Sequence, residues 1–183
     1  MLKAGLVGLG WWGKHIIRTI NGSSKLKLVR AVEVNLREGN NIAAEHGINV
    51  SSDFDDLLKD KEVQVVILAT PHCLHEEQIA KVASAGKHVF CEKPLGLTKK
   101  SAERSVTRCN QANVMLGVGH ERRFEPALQE IRKMVQTNSL GTIVQVEANF
   151  SHDILANMPK GDWRTTSKNA PAAGMTAMGI HLS

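Results

Sequence analysis

The sequence predicts an α/β fold: a doubly wound parallel sheet followed by the beginning of a second, open-sheet α/β domain. Three observations predict it. Apolar, β-like runs alternate with helix-like stretches from Leu2 to Gly119, a glycine-rich turn follows the first run directly, and the alternation stops after Gly119. The expected domains are therefore 1–120 and 121–183.

The elements follow in order. Leu2–Val7 is an apolar strand ending in Gly8, Trp11–Asn21 has helical spacing with Gly22 as its stop, and Leu26–Glu33 is a strand rich in Leu and Val. Arg37–His46 reads as a helix closed by Gly47, and Asp53–Asp60 as a short helix capped by Ser52 or Asp53. Val63–Ala69 is a buried strand by its β-branched density, ended by Thr70-Pro71. His75–Ala85, with Gly86 as stop, leads to the strand His88–Cys91; Thr98–Asn110 is a helix and Val114–Gly119 the fifth strand. Beyond it, Glu125–Thr137 reads as a helix, Thr142–Phe150 alternates as a strand, and Ser151–Pro171 is polar and loop-like.

Composition excludes several function classes. Over 183 residues, 42% apolar and 22% charged side chains are those of an ordinary globular protein. Leu2–Val7 already reads as a strand rather than a leader, and Val63–Ala69 is too short to span a bilayer, so a cytoplasmic protein with no membrane partner is expected. Cys73, Cys91 and Cys109 are odd in number and lack C-x-x-C spacing, which argues for reduced thiols rather than disulfides or a closed zinc site. The charge of +5 is scattered and only 4% of residues are aromatic, so nucleic acid is not the expected partner.

The chemistry concentrates in a few stretches. Gly8-Leu9-Gly10-Trp11-Trp12-Gly13 fits G-x-G-x-x-G between a strand and a helix, where glycines permit the tight turn, the approach of a pyrophosphate, and close helix packing. Trp11 and Trp12 could wall that site; the alternative is that one is core and the other covers the helix start, as large aromatics usually do. Glu33, 20 residues after Gly13, is placed to accept the ribose hydroxyls of an adenosine and so favours NAD; Arg37 keeps NADP open, since it could reach a 2′-phosphate. Thr70 and Pro71 form a strand-end loop expected to touch the cofactor, with His75 as a helix-start residue counted among the cofactor-binding residues. His72, Cys73 and His75 crowd a single turn, too close together to converge on an ion, so no metal is expected. In Cys91-Glu92-Lys93-Pro94, Lys93 sits just past a strand, at the edge where such sheets bind ligands, and can serve as a proton donor or acceptor.

Taken together, these residues resemble the Gfo/Idh/MocA family of NAD(P)-dependent oxidoreductases, which includes glucose-fructose oxidoreductase and inositol dehydrogenases. The resemblance runs from Leu2 to the end of the chain. It rests on the glycine turn, Glu33, Thr70-Pro71 with His75, and above all Gly86-Lys87-His88-Val89-Phe90-Cys91-Glu92-Lys93-Pro94. Arg122-Arg123-Phe124, Gly141, Asp162-Trp163-Arg164 and Gly179-Ile180-His181 are similar to its later landmarks.

The resemblance implies a Rossmann-type nucleotide-binding domain, then an α/β domain that supplies the substrate pocket and commonly the oligomer interface. It implies hydride transfer between nicotinamide and a hydroxyl-bearing carbon of a sugar, polyol or related small molecule. Lys93 and His181 would handle the proton, with Glu92 beside Lys93 in the cofactor site. A homo-oligomer is implied where the full second domain is present. Two departures stand out: Ala177 occupies a position where the family often has Asp, and the sequence ends two residues after His181, as a truncated second domain would. The alternative reading is a dinucleotide-binding module without catalysis.

Overall fold

The computed structural model describes residues 1–149, 151, 153, 157–159, 161–166, 169, 170 and 180, the side chain of Glu38 apart. Its contacts divide it into two units, Met1–Val118 and Gly119–Ser183.

The first unit is a six-stranded parallel sheet with strand order β3-β2-β1-β4-β5-β6. The strands are β1 (Leu2–Val7), β2 (Leu26–Val32), β3 (Asn49–Ser51), β4 (Val65–Leu68), β5 (His88–Glu92) and β6 (Leu116–Gly119). Five helices connect them: α1 (Trp11–Ile20), α2 (Leu36–His46), α3 (Phe54–Lys59), α4 (His75–Ser84) and α5 (Lys99–Gln111). β1 pairs with β2 on one side and β4 on the other, so the strand order reverses between β1 and β4, the switch point at which such sheets open a crevice.

Both sheet faces are buried, which is why the strands read as continuous apolar runs rather than as alternating ones. On one face Ala4, Leu6 and Ile67 pack with Leu9, Ile17, Ala31 and Ile42. On the other, Val7, Val66, Leu68, Val89 and Cys91 pack with Leu57, Ile79, Val82 and Cys109.

Local chemistry sets the helix ends. Asp53 caps α3 by accepting from Asp55 N at 2.8 Å. Thr98 and Ser101 close a reciprocal capping box at the start of α5. Gly47 and Gly86 follow α2 and α4 at positive φ, 63° and 68°.

β3 is an element the sequence pattern did not reveal. It is only three residues long, too short to show a period, and forms because Asn49–Ser51 find Arg30–Val32 alongside. Lys87 is buried and its Nζ donates to the carbonyls of Asp60 and Val63, both at 2.7 Å, while Arg30 bonds Asp60 at 2.8 Å.

In the second unit the described elements are a 3-10 turn (Glu121–Phe124), α6 (Pro126–Gln136) and a further 3-10 turn (Trp163–Thr165). The strand expected over 142–150 is corrected: residues 142–149 form no strand, and Val144 and Val146 are 92% and 80% exposed. An alternating pattern becomes a strand only when a neighbour takes up its N–H and C=O groups, and no partner strand is present among the described residues. Among those residues no helix is long and apolar enough to cross a membrane.

Candidate functional site

The carboxyl ends of β1, β4 and β5 are neighbours in the sheet, and the chain leaves them through Gly8, Thr70 and Lys93 respectively. This edge brings together the glycine turn, the Thr-Pro loop and the Glu-Lys-Pro stretch.

The three glycines do different work. Gly8 has φ 92°, and a Cβ there would stand 2.6 Å from Ala69 O; at Gly13 a Cβ would stand 2.0 Å from Gly8 O. Neither position can carry a side chain without moving backbone. At Gly10 a Cβ would meet nothing within 4 Å, so the turn is open at that point. Gly10 is also the N-cap of α1 and offers no side-chain cap, and the first turn holds no acid. The amino end of α1 therefore has backbone N–H groups for an anion, with room for one to approach.

Leu9, expected among the cofactor-binding residues, is corrected as a side chain: it is fully buried in the core. Its N–H donates to Glu33 Oε2 at 2.8 Å, and Glu33 Oε1 accepts from Asn35 N at 2.9 Å. Glu33 thus braces the glycine turn from the end of β2. Each carboxylate oxygen can accept more than one hydrogen bond, so capacity for ribose hydroxyls is left. Arg37 lies exposed in the first turn of α2.

Trp11 is 75% exposed, and Trp12 is tucked against it and His15, with ring centroids 5.4 and 5.0 Å away. Trp12 Nε1 is buried with no hydrogen-bond partner among the described residues. Neither indole is core in the usual sense.

Thr70 and Pro71 are half-buried at the end of β4, and Thr70 Oγ1 donates to Gln78 Oε1 at 2.5 Å. His75 is the clearest correction. Expected to touch the cofactor, it is fully buried, with Nδ1 2.7 Å from Pro94 O and Nε2 3.0 Å from Thr70 O. Burial holds its pKa below the ordinary value, against the opposing pull of the two carbonyls. The helical phase explains the placement: His75, Ile79 and Val82 share the inward face of α4.

Glu92 is buried and accepts from Lys93 N at 3.3 Å, Lys93 is half-buried, and Lys93–Pro94 is a cis peptide. Burial pushes the neighbouring Cys91 thiol far above its ordinary value and also raises that of Cys109. Among the described residues no group of three or more His, Cys, Asp or Glu could hold a metal.

In the second unit, Asp162 caps the turn that carries Trp163 and Arg164, accepting from Arg164 N at 2.9 Å, and the Arg164 guanidinium lies 4.3 Å from the Trp163 ring centre. Arg122 pairs with Glu125 at 2.8 Å. His181 and Ala177 lie outside the described residues. Gln78, which anchors Thr70, went unnoticed in the sequence; its position three residues after His75 on α4 was the available signal.

The model of an oxidoreductase family with an NAD-binding Rossmann fold, GFO_IDH_MocA, matches residues 2–120. The 2,7-anhydro-N-acetylneuraminate hydratase of Escherichia coli strain K12 is 37% identical over 145 residues, which cover 79% of this chain and 38% of that protein. A solved structure from Desulfitobacterium hafniense, named an NADPH-dependent oxidoreductase, superposes with TM-score 0.91 at 28% identity, covering 99% of this chain and 52% of that one. The scyllo-inositol dehydrogenase of Lactobacillus casei, solved with bound NAD(H) and scyllo-inositol, gives TM-score 0.72 at 32% identity over 77% of this chain and 42% of that one. The chain spans about two fifths of the length of the curated relatives it matches.

Proposed function

Because the chain belongs to the GFO_IDH_MocA oxidoreductase family, with its NAD-binding Rossmann fold, we propose that residues 1–120 are the dinucleotide-binding domain of a dehydrogenase. Residues 121–183 are then the start of its substrate domain. The reaction is hydride transfer between nicotinamide and a hydroxyl-bearing carbon of a sugar, polyol or related small polar molecule. The observation that carries this reading is Lys93, held between Glu92 and Pro94 directly after β5 and beside the end of β4, at the sheet edge that also bears the glycine turn.

The residues present fit a dinucleotide. The open face of Gly10 and the uncapped first turn of α1 receive the pyrophosphate, and Gly8 and Gly13 make that turn possible. Glu33 accepts the adenosine ribose hydroxyls while its backbone bonds keep the carboxylate aimed, and its charge favours NAD over NADP. Arg37, on the exposed first turn of α2, is the group that would let NADP compete. Thr70, Pro71, Trp12 and Glu92 line the cofactor further along the edge. Bound nicotinamide supplies the hydride donor or acceptor.

Lys93 then exchanges the proton of the reacting hydroxyl, with His181 as the second proton-handling group implied by the sequence. The test is Lys93→Met. Calorimetry is expected to show dinucleotide binding retained, and nicotinamide absorbance to show turnover lost on a polyol and sugar panel. Full turnover in that variant rejects the role of Lys93. Dinucleotide binding with no turnover by the native chain supports instead the reading as a binding module without catalysis.

A further inference from the structure

His75 is a titratable side chain that the proposed chemistry leaves unused, and nothing of it is exposed. Its face of α4 continues with Ile79 and Val82, so an imidazole here is costly unless its nitrogens are bonded. Both nitrogens face carbonyl oxygens, Pro94 O at 2.7 Å and Thr70 O at 3.0 Å. Carbonyls only accept, so a neutral ring bonds one of them and an imidazolium both.

The two carbonyls belong to the two loops that flank the site. Thr70 follows β4, and Pro94 is joined to Lys93 after β5. The ladder between those strands ends with the pair Leu68 and Cys91, and past it the His75 ring bridges the loops. Gln78, one turn further along α4, takes the Thr70 hydroxyl at 2.5 Å, so the same short stretch of helix grips the first loop twice.

We propose that His75 is a positioning residue: donating from one ring nitrogen to the carbonyl of Pro94 or Thr70 and packed against the other, it holds the loop after β4 to the loop after β5 and so fixes where Lys93 stands at the sheet edge. The functional consequence rests on the dehydrogenase reading, whereas the lock itself does not. An apolar side chain of similar size would fill the space and leave the bonded carbonyl without its donor.

The experiment uses the full chain and reads Lys93 itself. Competitive trace acylation with peptide mass spectrometry gives the reactivity of Lys93 relative to Lys99, whose side chain is 89% exposed on α5. His75→Phe keeps bulk and removes the donor. It is expected to change the Lys93-to-Lys99 ratio by about threefold or more, since one net hydrogen bond is a factor of about three to ten in a local equilibrium. His75→Gln, whose amide donates again, is expected to return the ratio towards the native value. Circular dichroism and the thermal midpoint report folding for each variant.

An unchanged ratio in folded His75→Phe, even with a lower midpoint, makes His75 merely structural and overturns the proposal. If His75→Phe does not fold, His75→Asn, whose shorter amide cannot span both carbonyls, carries the same test with the same outcomes. NADH protection of Lys93 in the native chain is measured alongside. Its failure counts against the dinucleotide reading alone, while a ratio that ignores His75 counts against the lock alone.

Discussion

Replacing Gly10 with alanine separates binding from folding. The Gly10 backbone, φ −62° and ψ −170°, is one any residue adopts, and a Cβ there meets no atom within 4 Å. The cost to the fold is then only the preference of an N-cap for glycine over alanine, about 1 kcal/mol or less. The cost to binding is larger. A phosphate oxygen accepts from a backbone N–H at about 2.9 Å, closer than the ~3.5–4 Å at which a methyl carbon makes its best contacts. The new methyl therefore holds the pyrophosphate away from the first turn of α1. Losing one hydrogen bond to a charged group costs about 1.5–3 kcal/mol, or about ten- to a hundredfold in Kd.

The assay is NADH titration read by energy transfer from tryptophan, since Trp11 and Trp12 flank the turn, with a thermal melt in parallel. Gly13→Ala is the control with the opposite signature. Its Cβ would lie 2.0 Å from Gly8 O, so the fold itself is expected to lose about 1–3 kcal/mol or more. Native NADH affinity in Gly10→Ala, from a native chain that binds NADH, refutes the placement of the pyrophosphate over Gly10.

Three further outcomes follow from the geometry. Glu33→Gln removes the charge that repels a 2′-phosphate, and unit charges a few ångströms apart near a surface repel by about 1–4 kcal/mol, so NADPH affinity relative to NADH should rise about tenfold; an unmoved ratio in paired titrations assigns selectivity elsewhere. Lys87→Met strips the carbonyls of Val63, buried, and Asp60, part-buried, of their donor and is expected to cost about 2–4 kcal/mol in urea unfolding; an unchanged midpoint would show that the carbonyls find water instead. The depressed pKa of His75 contributes stability that is present above its unfolded value of 6.5 and lost as pH falls through the native value. Urea midpoints should therefore drop from pH 7 towards pH 5. The drop should shrink in His75→Gln, which leaves His72, 5.8 Å away ring to ring, in place; an equal drop in both proteins assigns the effect to another group.

Much of the first unit was legible because its signals are local. The glycine turn announces itself by where a strand must become a helix; Gly8 takes a positive φ there and Gly13 packs against Gly8 O, while the contact of Gly8 with Ala69 is tertiary. The place of Lys93 just after β5 was legible through the apolar run before it and Pro94 behind it. His75 was misplaced because its neighbours in the chain, Thr70 and Pro71, belong to the loop, whereas its direction is set by the phase of α4. The spacing to Ile79 and Val82 held that information. Leu9 failed in the same way: a position inside a binding motif does not say which side of the backbone its side chain takes.

Sequence alone determined the alternating α/β order, the glycine turn, the acid at the end of β2 and the lysine after β5, since periodicity, turn chemistry and spacing act over a few residues. Tertiary structure decided what depends on distant partners. It made a strand of Asn49–Ser51 by setting it beside β2, and withheld one from residues 142–149. It closed the Glu33 carboxylate on Leu9 N and turned His75 inward to bridge Thr70 and Pro94. Hydrogen bonds between residues far apart in the chain exist only once packing brings donor and acceptor within about 3 Å, and no local pattern encodes that distance.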